Sequence, residues 1–244
     1  MSEQMLRAYN ISVDFSGLRA LDQVTLEVES GEIVGLIGPN GSGKTTLVNV
    51  LTGHVRPMAG AVTCSDIDIT HMTPRNIALQ GISRTFQIVR LFSNLTVSEN
   101  IEAAAISHGC SRRSARRKAG QLLEKFGLER VRDQFANTLS YGDERRVEIA
   151  RALAGDPKFL LLDEPAAGMN ETESESLLEL LACLPSEQKL GMLIIDHDMG
   201  LMMRLSHRLH VLASGKTIGE GSVEYVRKLP QVIEAYLGSD GNGR

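Results

Sequence analysis

Eight consecutive residues, Gly38-Pro39-Asn40-Gly41-Ser42-Gly43-Lys44-Thr45, fit the spacing G-x-x-x-x-G-K-[ST]. Three glycines let the backbone curl until successive N–H groups point at one centre, an arrangement that holds an anion. In this motif the lysine, Lys44, reaches the β- and γ-phosphates, and the hydroxyl of Thr45 ligates Mg²⁺. A second group of candidates lies far along the chain. Asp163-Glu164 directly follows the apolar run Phe159-Leu160-Leu161-Leu162. An Asp at the C-terminal end of a buried strand can hold Mg²⁺, and the adjacent Glu can orient and deprotonate a water. His197 follows another such run, Met192 to Asp196. A histidine there can donate to a phosphate oxygen instead of serving only as packing. These residue types imply a site for nucleotide phosphates.

The elements that must position these groups can be read from periodicity. Ile33-Val34-Gly35-Leu36-Ile37 is a buried strand, and Thr46 to Thr52 can be helical with Gly53 as its stop. Strand, glycine-rich loop and helix is the context the phosphate motif requires, with the helix N-terminus adding positive partial charge. Upstream, Leu6 to Val13 is strand-like and Val24 to Val28 alternates as a half-exposed strand. Residues 54–86 are predicted as further β structure with turns at Pro57, Gly60 and Pro74. Thr96-Val97-Ser98-Glu99 is a capping box that opens a helix at Val97. With the amphipathic Gln121–Phe126 stretch it predicts a helical lobe inserted into an α/β core. The basic cluster Arg112 to Lys118 within it is either a solvated helix face or a contact for acidic lipid or a partner. A further helix begins near Tyr141 or Gly142, and Ser140-x-Gly142 at its start is a second, weaker place for an anion. An amphipathic helix is predicted from Thr172 to Leu184, ending before Pro185. A hairpin about Ser214-Gly215 follows, then a last helix opened by Pro230 and stopped at Gly238. His207 and His210 read as packing residues. Spacing alone makes Phe15 a core aromatic and Gln87 a surface residue.

Bulk properties narrow the function classes. The chain has 244 residues, 42% of them hydrophobic, with 26 basic against 30 acidic side chains and a net charge of −4. Such a chain builds a sizeable core and is not, as a whole, a polyanion binder, so no nucleic acid partner is expected. Cys64, Cys110 and Cys183 show no C-x-x-C spacing and suit reduced thiols in a reducing compartment. No apolar run approaches the roughly 18 residues a membrane span needs. The first residues show no secretory signal, so a cytoplasmic protein is expected; at a membrane, a partner must hold it.

Four pieces stand in a fixed order: the phosphate loop, Gln87, Leu139-Ser140-Tyr141-Gly142, and Leu161-Leu162-Asp163-Glu164-Pro165 with His197 beyond. Over about residues 5–238 this resembles the ATP-binding subunit of ABC transporters. It closely resembles the ATPase of branched-chain amino acid importers (the LivG type). That narrower likeness rests on Leu139 to Gly142, Ala166-Ala167-Gly168-Met169-Asn170, His197-Asp198-Met199 and the closing Val232 to Gly238.

The resemblance implies a P-loop NTPase core with an N-terminal antiparallel β subdomain (1–88 and 155–238), a helical subdomain (89–154) and a tail (239–244). It implies ATP and Mg²⁺ as ligands. Phe15 matches the aromatic that stacks on adenine, against the reading from spacing. Gly38, Asn40, Gly41, Ser42, Gly43, Lys44, Thr45 and Thr46 match the phosphate-binding positions. Gln87 matches the residue that senses Mg²⁺ and the γ-phosphate near the membrane partner. Asp163 matches the Mg²⁺ ligand, Glu164 the residue that polarises water, and His197 the γ-phosphate contact. Ser140 and Gly142 match positions that bind the γ-phosphate of an opposite subunit. The implied partners are transmembrane permeases, a second ATPase subunit and, indirectly, a solute-binding protein, at the cytoplasmic face of a prokaryotic membrane. Importers of urea or amides, lipid or lipopolysaccharide exporters, and soluble ABC ATPases are the alternatives. Two positions depart from the usual pattern: Asp143 stands in place of Gln, and Asn170 in place of Asp.

Overall fold

Strands β1 (Met5–Phe15) and β2 (Leu18–Glu29) pair antiparallel through the tight turn at Ser16-Gly17. The computed structural model describes residues 4–237. The next strand, β3 (Ile33–Ile37), is buried at every position, as expected of a strand covered on both faces. It runs into the phosphate loop and helix α1 (Lys44–Leu51). Strands β4 (Ala59–Cys64) and β5 (Ile67–Asp68) complete a four-stranded antiparallel sheet in the order β2-β1-β4-β5.

Residues 54–86 are not all β. Helix α2 (Pro74–Leu79) interrupts them before β6 (Ile82–Arg84). Pro74 does not turn the chain there; it opens the helix, where its missing N–H is no loss, and the Thr73 hydroxyl accepts from the Asn76 N–H. Six residues are too few for helical periodicity to show.

Helices α3 (Val97–Ser107), α4 (Arg112–Lys125) and α5 (Tyr141–Leu153) come next, with α3 packed against both others. Strand β7 (Phe159–Asp163) leads to α6 (Glu171–Gln188), then β8 (Gly191–Ile195), α7 (Met199–Leu205), β9 (Arg208–Ala213) and β10 (Lys216–Ser222). Helix α6 does not stop before Pro185. The proline lies inside its last turn, buried beside Leu181 and Leu184, and the helix ends one residue before Lys189, which takes a left-handed φ of 52°. Burial of that apolar face outweighs the loss of one backbone hydrogen bond near a helix end. Helices α8 (Val223–Val226) and α9 (Pro230–Leu237) close the described chain; Gly238 and the 239–244 tail lie outside it.

The second sheet has the order β10-β9-β3-β8-β7-β6, parallel except at β10. Alternation along its strands divides the core. Ile33, Ile37, Leu160, Leu162, Met192 and Ile194 face the helices α3 to α7. Val34, Leu36, Leu161, Leu193 and Ile195 face α1 and the antiparallel sheet. Gly35 leaves room on the first face, where a Cβ would lie 2.5 Å from Ser206 Oγ, 2.6 Å from Met202 Cε and 2.7 Å from Leu209 Cδ2.

Candidate functional site

Register places the chemistry. Leu36 of β3 and Asp163 of β7 both pair with Ile195 of β8, so one row crosses three strands. The loops that leave this row start at Gly38, Glu164 and Asp196, side by side at the carboxyl ends of parallel strands, where α/β sheets bind ligands. On the far edge Arg84 pairs with Leu161, which sends Thr85-Phe86-Gln87 out at the same end. On the other side of β3 Ile37 pairs with Val211 of β9, and the Ser214-Gly215 turn after β9 closes over the phosphate loop: the Gly215 N–H donates to Ser42 O at 3.0 Å.

The loop itself is curled as the motif requires. Gly38, Gly41 and Gly43 have φ of 149°, 76° and 107°. At Gly38 a Cβ would lie 2.0 Å from Leu212 O, so only glycine fits. The Lys44 ammonium donates to Gly38 O at 2.7 Å and Pro39 O at 3.0 Å, which folds it back across the cradle. Burial pushes its pKa down, while Glu164 and Asp163 pull it up. The Ser42 hydroxyl is buried with no partner of its own. The cleft above has a volume of 440 Å³, and its lining includes Asn40 to Thr46, Gln87, Asp163, Glu164 and His197.

Asp163 ends β7 and pairs with the buried Arg84 at 3.5 Å. Burial pushes its carboxyl above the ordinary range against the pull of Arg84. Glu164 takes a left-handed φ of 47°, a conformation that costs a non-glycine residue on the order of 1–3 kcal/mol and that collects at functional sites. Its N–H donates to Ile195 O at 2.8 Å, and its Oε1 lies 3.2 Å from the His197 Nδ1. The donor set of Thr45 hydroxyl, Gln87 amide and Asp163 carboxylate, all on one cleft, is the oxygen-rich set that suits a hard divalent cation.

Other expected residues do not share this cleft. Ser140, Gly142 and Phe15 are absent from its lining, and Gly38 contributes only its carbonyl to Lys44. Phe15 is 49% exposed, so it is not the core aromatic its spacing suggests. Ser140 caps α5: its hydroxyl accepts from the Asp143 N–H at 3.3 Å and donates to the Asp143 carboxylate at 2.9 Å. Asn170 caps α6, accepting from the Glu173 N–H at 2.9 Å. His207 does not pack but ties a strand end, its Nδ1 accepting from the Ile33 N–H at 2.8 Å. His210 is fully buried, with Nε2 2.9 Å from the Thr217 hydroxyl.

Residues 21–167 match the family described as ABC transporter. The chain belongs to that family. Members of the ABC family are ATPases coupled to transport, and this chain's fold is theirs. It is 40% identical to the high-affinity branched-chain amino acid transport ATP-binding protein LivG of Salmonella typhimurium, covering 98% of this chain and 99% of that one. Among solved structures it is similar to the ADP conformation of MJ1267, an ATP-binding cassette of an ABC transporter, with a TM-score of 0.86, 33% identity and coverage of 96% and 99%. It is also similar to the dimeric post-hydrolysis state of the cassette MJ0796 bound to ADP and Pi, with a TM-score of 0.79, 28% identity and coverage of 89% and 98%.

One part of this ABC site is invisible in the motifs. Arg145 on α5 is fully buried and donates to Phe86 O at 2.7 Å, Asp163 O at 3.0 Å and Glu164 O at 2.8 Å. Glu148 on the same helix takes its Nη1 at 2.8 Å. In sequence the two are an ordinary i, i+3 pair of opposite charge, usually solvated. The available signal was that Val147, Ile149 and Ala150 crowd the same turns, which leaves the helix little polar face to expose.

Proposed function

We propose that this chain binds ATP with Mg²⁺ at the 440 Å³ cleft and hydrolyses it to drive an importer of branched-chain amino acids. The observation that carries the reading is the convergence of Lys44, Thr45, Gln87, Asp163, Glu164 and His197 on that one cleft, from the carboxyl ends of four strands, β3, β6, β7 and β8. Lys44 and the loop N–H groups hold the phosphates. Thr45, Gln87 and Asp163 would hold Mg²⁺, which when bound neutralises phosphate charge during transfer. Glu164 takes the proton of the attacking water. His197 keeps the Glu164 carboxylate turned to the cleft through its Nδ1 and offers its other nitrogen to a phosphate oxygen.

Ser140 and Gly142 lie outside the cleft of their own chain, which supports their use by a second ATPase subunit. Each subunit then holds half of two sites, and nucleotide between them favours the closed pair. An apolar groove of 590 Å³ beside Gln87, lined by Phe86, Leu91, Phe92, Ala103 and Ala104, suits a permease segment. Among the described residues no helix is long and apolar enough to cross a membrane. In this reading permease partners supply the membrane path, and the chain sits at their cytoplasmic face. The likeness to LivG supplies the amino acid substrate class.

Glu164→Gln tests the reading. It keeps the side-chain size and removes the base. ATP affinity is expected to stay close to wild type while turnover falls at least about 100-fold, the scale of a lost general base. Wild-type turnover in this variant would show that another group activates the water.

A further inference from the structure

We infer that Arg145, held by Glu148, is a positioning residue that fixes Glu164 and the backbone before Gln87 in their working geometry. The inference rests on the ATPase reading above. All the contacts of this guanidinium converge on two loop starts and one carboxylate. Nη1 donates to Phe86 O at 2.7 Å and to Glu148 Oε2 at 2.8 Å. Nη2 donates to Asp163 O at 3.0 Å and Glu164 O at 2.8 Å. Glu148 also accepts from the Phe86 N–H at 3.3 Å, so the residue before Gln87 is gripped at both its N–H and its C=O. The three carbonyls belong to residues that carry, or directly precede, a candidate catalytic side chain.

The geometry explains a local strain. Glu164 sits at φ 47°, and the peptides around it are pinned from two sides: the Ile195 carbonyl takes its N–H and Arg145 holds its C=O. Without Arg145 the C=O side is free, and the residue can relax toward ordinary backbone, which turns its carboxylate away from the cleft. A buried ion pair is weak evidence for stability, since apolar replacements of such pairs are often neutral or stabilising. Retaining a fully buried arginine here therefore points to geometry. The planar fork of arginine spans three carbonyls and a carboxylate at once; a lysine ammonium cannot. Because α5 is also the helix that Ser140 caps, the same side chain ties the helix that serves the opposite site to the loops of its own site.

The test uses the full chain with three variants: Arg145→Lys, the charge-neutral pair Arg145→Gln with Glu148→Gln, and Glu164→Gln. Steady-state ATP turnover, affinity for a fluorescent ATP analogue with Mg²⁺, and apparent Tm are measured for each. The neutral pair avoids leaving Glu148 buried and uncompensated. It is expected to lose about 10- to 100-fold in kcat, the scale of a misplaced catalytic group, with analogue affinity within about 3-fold of wild type. Arg145→Lys is expected to share the kcat loss, because it restores the charge and not the fork. Wild-type kcat in either variant overturns the inference, as does a parallel loss of kcat and affinity, which marks a general structural role. If the neutral pair fails to fold, the kcat of Arg145→Lys decides alone. Glu164→Gln separates the two readings. Should it keep wild-type turnover, the ATPase base reading falls; should it be inactive while the Arg145 variants are fully active, only the positioning role falls.

Discussion

Asp143 puts a carboxylate where the family pattern has an amide, and its surroundings show how the charge is accommodated. It is buried at 7% exposure, receives the Arg130 guanidinium at 2.6 Å and accepts the Ser140 hydroxyl proton at 2.9 Å. The carboxylate therefore serves the α5 cap, with Arg130 cancelling a charge that would repel a phosphate offered to Ser140. Arg130→Ala is expected to raise the ATP concentration needed for half-maximal turnover several-fold in the wild-type background and to do little in an Asp143→Gln background, since groups in one network couple. Equal effects in both backgrounds, read by titrating ATP against turnover, would show that the pair does not act through charge. The departure was legible in the sequence; its compensation was not, because Arg130 reaches Asp143 only through the short 3₁₀ turn Glu129–Val131. Asp196 gives a prediction in pH. Burial lifts its carboxyl above the ordinary range despite the Asp198 N–H and His197. The folded state thus favours the protonated form, and the ionised form costs stability as pH rises through the folded value. Asp196→Asn keeps an acceptor for the Asp198 N–H and removes that charge. Its apparent Tm is expected to exceed wild type at neutral pH, with the gap closing as pH falls toward about 4, the ordinary aspartate value. A pH-independent gap would assign the effect to packing.

Helix starts are where local chemistry and site geometry meet. The capping box at Thr96 and Glu99 was readable from four residues and forms as expected, with bonds of 3.2 and 2.8 Å. Asn170 and Glu173 form a second one at 2.9 and 3.3 Å. Glu173 then lies against Gly142, where a Cβ would come within 3.0 Å of its carboxylate, so the α6 cap sets the surface beside α5. Replacing Asn170 by alanine is expected to cost about 1 kcal/mol, lowering apparent Tm by about 2–4 °C in a chain of this size, while Asn170→Asp keeps the cap and loses little. A melting series showing equal losses for both would place the importance of Asn170 elsewhere. Pattern failed at α2 and at Pro185 for opposite reasons. The first helix is too short to show a period, and the second is carried past its proline by buried Leu181 and Leu184. Proline punctuates a sequence reliably only where no tertiary face overrides it.

Across the whole molecule, the motifs singled out candidate residues at particular strand ends, and register brought those ends into one row; neither could show what lies beside the row. Strand order is a long-range property, so the placement of β8 between β3 and β7, which puts His197 next to Glu164, had to come from the fold. The groove next to Gln87 is likewise a product of assembly, joining α2, the 86–92 segment and α3. Phe92 in its lining is 55% exposed, and Ile88 in the same 86–92 segment is 75% exposed. Large side chains in such positions mark contact surfaces more often than monomer structure. The Phe92 backbone is anchored independently of its ring, since its N–H and C=O both bond the Asn100 side chain, at 2.9 and 3.1 Å. Phe92→Ser should therefore leave the fold and the nucleotide cleft intact while removing apolar contact area from the lip. In a membrane-reconstituted transporter, solute uptake is expected to fall about 10-fold or more, the cost typical of an interface aromatic, with ATP affinity of the isolated chain unchanged. Full uptake by this variant would move the permease contact off the groove. A matching loss of ATP affinity would mean instead that the 86–92 segment shapes the nucleotide cleft through Gln87.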